Sequence, residues 1–578
     1  MKWFVSILLA SLWLFASCTP PTGTQPEGGL PSDGGGTRQP RARTLVLAAR
    51  SEMPSLAAKP ILSLGLTSGS QTRLFNAGLV LPDDRGLAQP YLAEALPQLG
   101  TDTWQVFPDG RMETIYRLRP SLIWHDGHPL TASDFVFSWQ VYSVPQLGQA
   151  SSPPLGLMEE VLAPDERTVV IRWHRLYADA GSLEAAGGGS TSPSFPALPR
   201  HILEPSFTQA NWDLFAASSY WTTEYVGLGP YRLDRWEAGT FLEGVAFDGH
   251  ALGRPKIERL RVTWVPDFNT TLANLLAGEV HMSIDDSIRF QQGLILRREW
   301  ASRNTGSVLV YPGLWRWTQI QQRPDYADPR ELRDPNVRRA LAYAVDKDTL
   351  NAALFEGEGI MTENPVAPTE DYFAEVERAA TKYPFDLRRS EQLMAEAGYR
   401  RGADGMYVGT RGNVFTSELA VLQSPQNETE MSIMAATWRQ AGFRVNEMVW
   451  AAVQARDGQL RSTHHGLSTT SGPAGDATLV DHASGDIPRS ENRWSGSNRG
   501  GWANQEFDTL AQSFNSTLDR TQRVRLLSEM ARVFSDDAAV ISLYFNPTTT
   551  ALTNTLTGPQ PVVPTSDVAW NVHLWTFR

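Results

Sequence analysis

The apolar side chains of this sequence follow two different periods, which alternate along the chain. TLVLAAR at 44–50 and RVTWVPD at 261–267 are short apolar runs, and each predicts a strand. The segment that follows the second run predicts a helix with Asp267 or Asn269 as its N-cap and Gly278 at its end. Strands and helices therefore succeed each other within a few residues.

The middle of the chain repeats this alternation with clear helix starts. Asp334 precedes Pro335, and the apolar residues of 337–345 then recur at i, i+3, i+4, i+7 and i+8. This spacing predicts a helix with one apolar face. Asp346 predicts the cap of a next helix, which we expect to end at Gly357.

The C-terminal part continues in the same way. Asp386 and Gly398 frame a further predicted helix. The apolar residues of 524–534 share one helix face, and VISLYF at 540–545 predicts a strand. Helices and strands mixed along the whole chain are typical of the α/β class.

Two segments contain few apolar side chains and predict long loops. The first is LEAAGGGSTSPSF at 183–195, and the second is 462–504, which is rich in Gly, Ser, Asp, His and Asn. Long loops without secondary structure are usually functional or mobile. We therefore expect each of these two segments to be functional or mobile.

The N-terminus predicts export and attachment to a lipid. Lys2 precedes an apolar run at 3–15, which is shorter than the about 20 residues that a spanning helix needs. Cys18 is the one cysteine of the chain, and it closes LFASC, which resembles a bacterial lipobox. We expect a lipoprotein signal peptide at 1–17, a lipidated Cys18 and a disordered tether at 18–43. The alternatives are an uncleaved anchor and an ordinary secretory signal.

The composition and the net charge disfavour certain classes of partner. The 578 residues are 41% hydrophobic and carry a formal net charge of −12, which suits a globular body with an ample core. An acidic surface repels phosphate backbones, so no nucleic-acid partner is expected. No segment after the export signal is apolar enough to span a membrane. We expect the body in the cell envelope, facing the periplasm or the exterior.

The motifs of common enzymes are missing from the sequence. There is no P-loop, no His-Glu-x-x-His pair and no Gly-x-Ser-x-Gly elbow, and one cysteine excludes a thiolate zinc site. His464 and His465, with Asp476, Asp481 and His482 downstream, offer metal ligands in no established spacing. An envelope hydrolase that uses His464 and Asp476 is the enzymatic alternative. We expect no enzyme, no cofactor and no metal.

Several segments together resemble one known family. YRLRPSLIWHDGHPLTASDFVFSW at 116–139 combines a Leu-Arg strand, a Trp-His-Asp-Gly turn and a Thr-Ala-x-Asp helix start, and VRRALAYAVDKDTL at 337–350 is equally specific. Less specific matches occur in the family's order at 74–97, 226–236, 383–399, 504–510 and 543–545. The chain from about 44 onward thus resembles the peptide/nickel-type extracytoplasmic solute-binding proteins of ABC importers, family 5.

The conspicuous His and Asp residues of 116–139 predict scaffold roles. The Asp-Gly pair after His125 predicts a tight turn, because glycine tolerates positive φ. Thr131 predicts a helix N-cap, and Asp134, three residues later, predicts the reciprocal partner of a capping box. We therefore expect Asp126, His128 and their neighbours to be structural rather than catalytic.

The resemblance implies a two-lobed α/β fold of the periplasmic-binding-protein type (type II, the large cluster C form) with a hinged cleft. The first lobe would comprise 44–312 and 546–578, and the second 313–545. The hinge strands would lie near Tyr311 and Phe545. Such a fold closes on a ligand by differential affinity for the closed state.

The resemblance also implies a function. The chain would be a monomeric, lipid-anchored substrate-binding subunit that captures a small solute, a peptide or an oligosaccharide, and delivers it to ABC permease and ATPase subunits. A degenerate relative acting as a sensor or chaperone is a further alternative. Genes for permeases and ATPases beside this one would favour the transporter hypothesis.

The sequence departs from the family pattern at three places. Leu228 replaces the usual Thr of a Gly-Thr-Gly-Pro-Tyr element, and His281 stands where Asp is common. The cleft loop of the second lobe reads GLSTTSGPAGDATLVDHASGD, without the family's Gly-Trp. In peptide binders an Asp of this loop pairs with the ligand's amino group, and Asp476 or Asp481, with His482 beside it, are the candidates.

Two tryptophans offer a different ligand chemistry. Trp315 and Trp317 are spaced by two, so they share one face of a predicted strand close to the hinge. Aromatic faces stack on sugars, as in the oligosaccharide binders of the same family. The alternative is that this face belongs to the core. A peptide is the leading ligand, with a sugar or a metal chelate as alternatives.

Overall fold

The computed structural model describes residues 43–59, 61, 69–150, 153–185, 193–492 and 494–578. Residues Ala42–Arg578 form one compact unit. The predicted signal peptide, Cys18 and almost all of the tether lie outside the described residues. Each helix within the described ranges is too short or too polar to span a bilayer.

Strands occur along the whole body. They are β1 (Thr44–Ala49), β2 (Val80–Pro82), β3 (Ala88–Pro90), β4 (Trp104–Val106), β5 (Met112–Arg117), β6 (Met158–Asp165), β7 (Thr168–Trp173), β8 (Tyr231–Glu237), β9 (Phe241–Ala246), β10 (Arg259–Trp264), β11 (Met282–Ser283), β12 (Gly306–Ile320), β13 (Ile360–Met361), β14 (Tyr399–Arg401), β15 (Tyr407–Gly409), β16 (Thr416–Leu422), β17 (Arg444–Trp450), β18 (Leu467–Gly472), β19 (Val540–Thr553), β20 (Leu556–Thr557) and β21 (Thr576–Phe577).

Helices are interspersed with these strands. They are α1 (Gly69–Phe75), α2 (Ala132–Tyr142), α3 (Arg200–Phe207), α4 (Trp212–Ala216), α5 (Phe268–Ala277), α6 (Phe290–Ala301), α7 (Pro335–Tyr343), α8 (Lys347–Phe355), α9 (Phe373–Ala379), α10 (Leu387–Glu396), α11 (Pro425–Ala441), α12 (Gly458–Ser462), α13 (Asp476–Val480), α14 (Gln505–Asn515) and α15 (Arg520–Asp536). The α/β class expected from the sequence is confirmed.

One large sheet connects the two halves of the body. Its order is β17-β16-β18-β12-β19-β11-β1-β10-β9-β8, with β13 paired to β19 off this path. The long strands β12 and β19 pair antiparallel, and their register shifts between Pro312 and Trp315. The predicted hinge residues Tyr311 and Phe545 lie at or beside this irregular stretch.

The three largest hydrophobic clusters of the described residues divide into two groups, which define two lobes. The largest cluster takes residues of 45–284 together with 552–575, and we call this part the N-terminal lobe. Two further clusters take residues of 290–545, which we call the C-terminal lobe. The fold is therefore two-lobed, as expected, and both ends of the body contribute to its first lobe.

The predicted helix starts are confirmed by their hydrogen bonds. Asp267 accepts from the Thr270 amide at 2.7 Å, and Asp346 accepts from the Thr349 amide at 3.0 Å. One helix end differs from the expectation. Helix α8 ends at Phe355, and its C-cap residue Glu356, one residue before Gly357, already has a positive φ of 51°.

The prediction of one long loop at 462–504 is wrong. This segment contains β18, which pairs with β12 on one side and β16 on the other, and it contains α13. The strand consists mainly of Ser and Thr, whose polarity predicts a loop. The Thr469 hydroxyl finds a buried partner in the Thr318 hydroxyl at 3.0 Å, so these side chains fit inside the sheet.

The other predicted loop, 183–195, is described only at its ends, since 186–192 lie outside the described residues. Those ends pair with each other. The Glu184 amide donates to the Pro193 carbonyl at 3.0 Å, and the Phe195 amide donates to the Glu184 carbonyl at 2.8 Å. Glu184 is thereby fixed within the N-terminal lobe.

The tight turn and the helix cap predicted in 116–139 are confirmed. Gly127 has a φ of 89° in a tight turn, and the Thr131 amide donates to Asp134 at 2.9 Å at the start of α2. His125 is buried; its Nε2 donates to the Gly229 carbonyl at 3.0 Å. A Cβ at Gly229 would lie 2.2 Å from the Phe75 backbone, so only glycine fits there.

Candidate functional site

Asp476 lies at the surface of the C-terminal lobe, directly after the central strand β18. The chain leaves β18 at Gly472, and Gly475 then adopts a φ of 122°, which favours glycine. Asp476 begins α13, and its side chain is 39% exposed. The carboxylate is therefore held at the end of a rigid strand and remains accessible.

Arg523 of helix α15 is the cationic neighbour of Asp476. The two charged groups lie 3.6 Å apart. Arg523 also donates to the Phe514 carbonyl at 3.0 Å, and its guanidinium stacks on the Phe514 ring at 3.7 Å. Because Arg523 is fixed by these other contacts, it neutralises Asp476 without covering it.

Asp179 brings a second carboxylate from the N-terminal lobe. It lies in the short 3-10 helix Ala178–Gly181. Burial and, to a smaller extent, the charge of Asp476 raise its pKa to about 6, although Arg523 opposes the shift. The negative charge of Asp476 in one lobe therefore disfavours the ionisation of Asp179 in the other.

The hydroxyl of Tyr177 belongs to the same surroundings. It is buried and has no hydrogen-bond partner among the described residues. Burial raises the pKa of Tyr177 well above its ordinary value, and the charge of Asp179 raises it further. An unpartnered hydroxyl beside carboxylates can donate to or accept from a polar ligand.

Glu370 and Asp371 complete the group from the C-terminal lobe. Burial, followed by the charges of Asp476 and Asp371, raises the pKa of Glu370 to about 7. Arg520 contacts both carboxylate oxygens of Asp371 at 2.6 Å. The arginine thus pairs with Asp371 and leaves Glu370 with an unbalanced charge.

We call these residues the acidic cluster: Asp179, Glu370, Asp371, Asp476, Arg520 and Arg523. Four carboxylates face two guanidinium groups, so full ionisation leaves two negative charges. Raised pKa values at two of the carboxylates are the consequence of this surplus and of burial. A cation such as a protonated amine would relieve the repulsion and restore ionisation.

Two further carboxyl groups with raised pKa values lie in the N-terminal lobe. Burial raises the pKa of Glu184 to about 7, Arg73 at 3.0 Å opposes the shift, and Asp179 adds to it. Asp567 accepts from the Ser70 hydroxyl at 3.0 Å, and burial raises its pKa as well. The carboxyl groups of Glu184 and Asp567 are thus only partly neutralised by their partners.

Trp315 and Trp317 lie in the core of the C-terminal lobe. Their rings stack on each other, with centroids 4.2 Å apart, and they are 0% and 4% exposed. Neither ring presents a free face to solvent in this structure. The stacking of a sugar on these rings therefore stays a prediction that the structure does not favour.

His482 and Asp481 follow α13 and differ in their surroundings. His482 is buried, its Nδ1 donates to the Thr478 carbonyl at 2.8 Å, and burial lowers its pKa to about 4. It packs edge-on against the stacked tryptophans. Burial and the charge of Asp486 together raise the pKa of Asp481 to about 6. Ligand binding by either residue stays a prediction.

The polar group centred on His464 does not form one site. His464 precedes β18 and Asp476 follows it, so a strand of six residues, roughly 20 Å long, lies between them. His464 is also buried, and burial lowers its pKa to about 3. The pairing of His464 with Asp476 that the hydrolase alternative requires is therefore not present.

Sequence reasoning named Asp476 as a candidate but did not name the charged residues around it. Asp179, Glu370 and Arg523 lie in three distant segments, and none is part of a motif. Only the folded chain brings their charges together. Glu370 and Asp371 form the one local signal, since adjacent carboxylates repel each other unless a cation is near.

Comparisons with known proteins bear on the same region. The model of the bacterial extracellular solute-binding proteins, family 5 (middle), matches residues 94–479. The dipeptide-binding protein of Escherichia coli strain K12 is 25% identical over 487 residues, which cover 78% of this chain and 80% of that protein.

Two solved structures are similar in fold. NikZ from Campylobacter jejuni in complex with Ni(L-His) has a TM-score of 0.70 at 20% identity, covering 92% of this chain and 99% of that chain. The oligopeptide-binding protein of Thermus thermophilus, complexed with a pentapeptide, also has a TM-score of 0.70 at 20% identity, covering 92% of this chain and 96% of that chain. At this identity the likeness shows the fold alone.

Proposed function

Because the chain belongs to the bacterial extracellular solute-binding proteins of family 5, we propose that it is the lipid-anchored substrate-binding subunit of an ABC importer that captures peptides. In this proposal the protein binds its solute and performs no chemistry on it. The observation that carries the proposal is the acidic cluster, where Asp476 and Asp179 approach each other from different lobes.

The acidic cluster suits the amino terminus of a peptide. A protonated amine brings one positive charge and three donors, and the cluster offers surplus carboxylate acceptors. Binding between lobes also couples ligand capture to closure, because both lobes contribute acceptors only when they approach. The dipeptide-binding and oligopeptide-binding names of the relatives agree with this choice.

The oligosaccharide alternative has less support. It depends on exposed aromatic faces, whereas Trp315 and Trp317 are stacked and buried. Mass spectrometry of what co-purifies with the body expressed from Thr44 onward, released by denaturation, tests the choice. We expect a set of peptides; a sugar or a metal chelate as the only species would overturn the peptide assignment.

The lipid anchor is a separate part of the proposal. Cys18 lies outside the described residues, and its lipidation rests on the LFASC segment. An anchor would keep the binding body beside its permease and raise its effective concentration there. Cys18→Ala should move the protein from the membrane to the soluble fraction, while Ser17→Ala, which keeps a small residue, should not. Membrane retention of Cys18→Ala would contradict the anchor.

A further inference from the structure

Three potential metal ligands meet on the N-terminal lobe, apart from the acidic cluster. They are Asp126 and His128 of the tight turn and His201 of helix α3. The Nε2 of His201 lies 2.7 Å and the Nδ1 of His128 lies 3.3 Å from the same oxygen, Oδ2 of Asp126. The imidazole rings stack with centroids 4.1 Å apart and planes inclined by 19°.

These distances match the spacing of ligands around a small cation. One ligand atom from each of the three side chains lies within 4.8 Å of the other two. In a tetrahedral site with bonds of about 2.0–2.1 Å, ligand atoms lie about 3.3 Å apart. Small side-chain adjustments would therefore suffice to place all three atoms around one ion.

The backbone that carries these side chains is fixed by contacts that do not use them. His125 anchors the turn, since its Nδ1 accepts from the Gly227 amide at 3.1 Å. The start of α3 is tied to Asp134, which accepts from the Arg200 amide at 3.1 Å. Both ligand-bearing segments are thus preorganised by the scaffold.

The carboxylate of Asp126 is oriented as well. Its Oδ1 accepts from the His128 amide at 3.1 Å, which leaves Oδ2 directed at the two imidazoles. A carboxylate whose second oxygen is held by a hydrogen bond is typical of ordered metal sites. The His128 side chain is 61% exposed, so an ion can enter from solvent.

We propose that Asp126, His128 and His201 form a binding site for a divalent transition-metal ion of the Zn²⁺ class. Two imidazoles and one carboxylate suit Zn²⁺, Ni²⁺ or Cu²⁺ and disfavour Mg²⁺ and Ca²⁺, which take oxygen ligands. Three protein ligands leave a fourth position for water. The ion would clamp the turn to helix α3 and stabilise the N-terminal lobe.

Isothermal titration with ZnCl₂ tests this proposal on the full chain, purified without a polyhistidine tag and stripped with a chelator. We expect one equivalent of tightly bound Zn²⁺ and a higher Tm at saturation. The double variant His128→Ala/His201→Ala should bind at least a hundredfold more weakly. Asp126→Asn, which keeps the Oδ1 acceptor of the turn, should bind about tenfold more weakly.

Two controls separate this site from other sources of metal binding. His174→Ala removes an exposed histidine outside the group and should bind Zn²⁺ like the unaltered protein. Asp476→Asn alters the acidic cluster and should also leave Zn²⁺ binding unchanged, which keeps this test independent of the proposed function. Unchanged stoichiometry and affinity in the His128→Ala/His201→Ala variant would overturn the proposal, as would the absence of binding to the unaltered protein.

Discussion

Two charged groups of the molecule differ in how their charges are balanced. Arg316 and Glu430 form a closed pair, with 2.7 Å between Nε and Oε2 and side-chain exposures of 5% and 0%. Asn427 accepts from Arg316 at 2.8 Å, and the Tyr544 hydroxyl donates to Glu430. Burial opposes the charge of Arg316, but Glu430 outweighs it and raises the pKa of the guanidinium.

The acidic cluster shows the opposite arrangement. It combines four carboxylates with two guanidinium groups, and the pKa values of Asp179 and Glu370 are raised instead of lowered. A pair that satisfies itself holds strands and helices together and needs no further partner. A group with surplus charge gains free energy when a cation arrives. The first group therefore suits a role in stability, and the second suits the binding role that we propose for it.

The largest effect is expected from Glu430→Gln, which breaks the closed pair. It leaves Arg316 buried without its counter-charge, so the free energy of unfolding should fall by about 3–5 kcal/mol. Urea unfolding followed by tryptophan fluorescence measures this. Glu428→Gln, an exposed change in the same helix α11, is the control and should shift stability by less than about 0.5 kcal/mol. A loss under about 1 kcal/mol for Glu430→Gln would contradict a structural role.

Asp476→Asn is expected to have a smaller effect, which concerns peptide affinity and not the free energy of unfolding. The side chain is 39% exposed, so stability should change by less than about 0.5 kcal/mol. Peptide affinity should fall at least about tenfold, or about 1.4 kcal/mol, because an acceptor of the amine is lost. Titration calorimetry measures this, with the exposed Asp325→Asn as control. Unaltered affinity in Asp476→Asn would remove Asp476 from the site.

The smallest expected effect is the change of peptide affinity with pH. Asp179 and Glu370 have pKa values of about 6 and about 7, above their ordinary 3.8 and 4.5. Groups with raised pKa values stabilise the folded unliganded protein at low pH, and this contribution is lost as pH rises through 6–7. Capture of an amine needs the ionised forms, so affinity should rise several-fold from pH 5 to pH 8. Asp179→Asn should flatten this rise, and an affinity that instead falls with pH would contradict the assignment.

Local features of the fold were predictable from the sequence because their causes are local. The caps Asp267, Asp334 and Asp346 lie within four residues of the amides they accept from. Strand β18 was not predictable, because its Ser and Thr side chains are stabilised by partners on another strand, as Thr469 is by Thr318. Its burial depends on the completed sheet.

The candidate site was predictable only in part for the same reason. Asp476 was named as a candidate through resemblance, because the segment around it was compared with the family's cleft loop. Trp315 and Trp317 were expected on one strand face, which is correct, but alternation alone does not say whether that face meets a cleft or a core. Asp179 and Arg523 carry no local signal, because their role arises from charges that act across the fold.

In the proposed function, surplus carboxylates between the lobes bind the amino group of a peptide. Titration calorimetry with tri-alanine and N-acetyl tri-alanine tests it most directly, since acetylation removes the positive charge and little else. We expect acetylation to weaken binding at least about tenfold. In Asp476→Asn, the two peptides should bind with nearly the same affinity. Equal affinity for the two peptides in the unaltered protein would contradict this proposal.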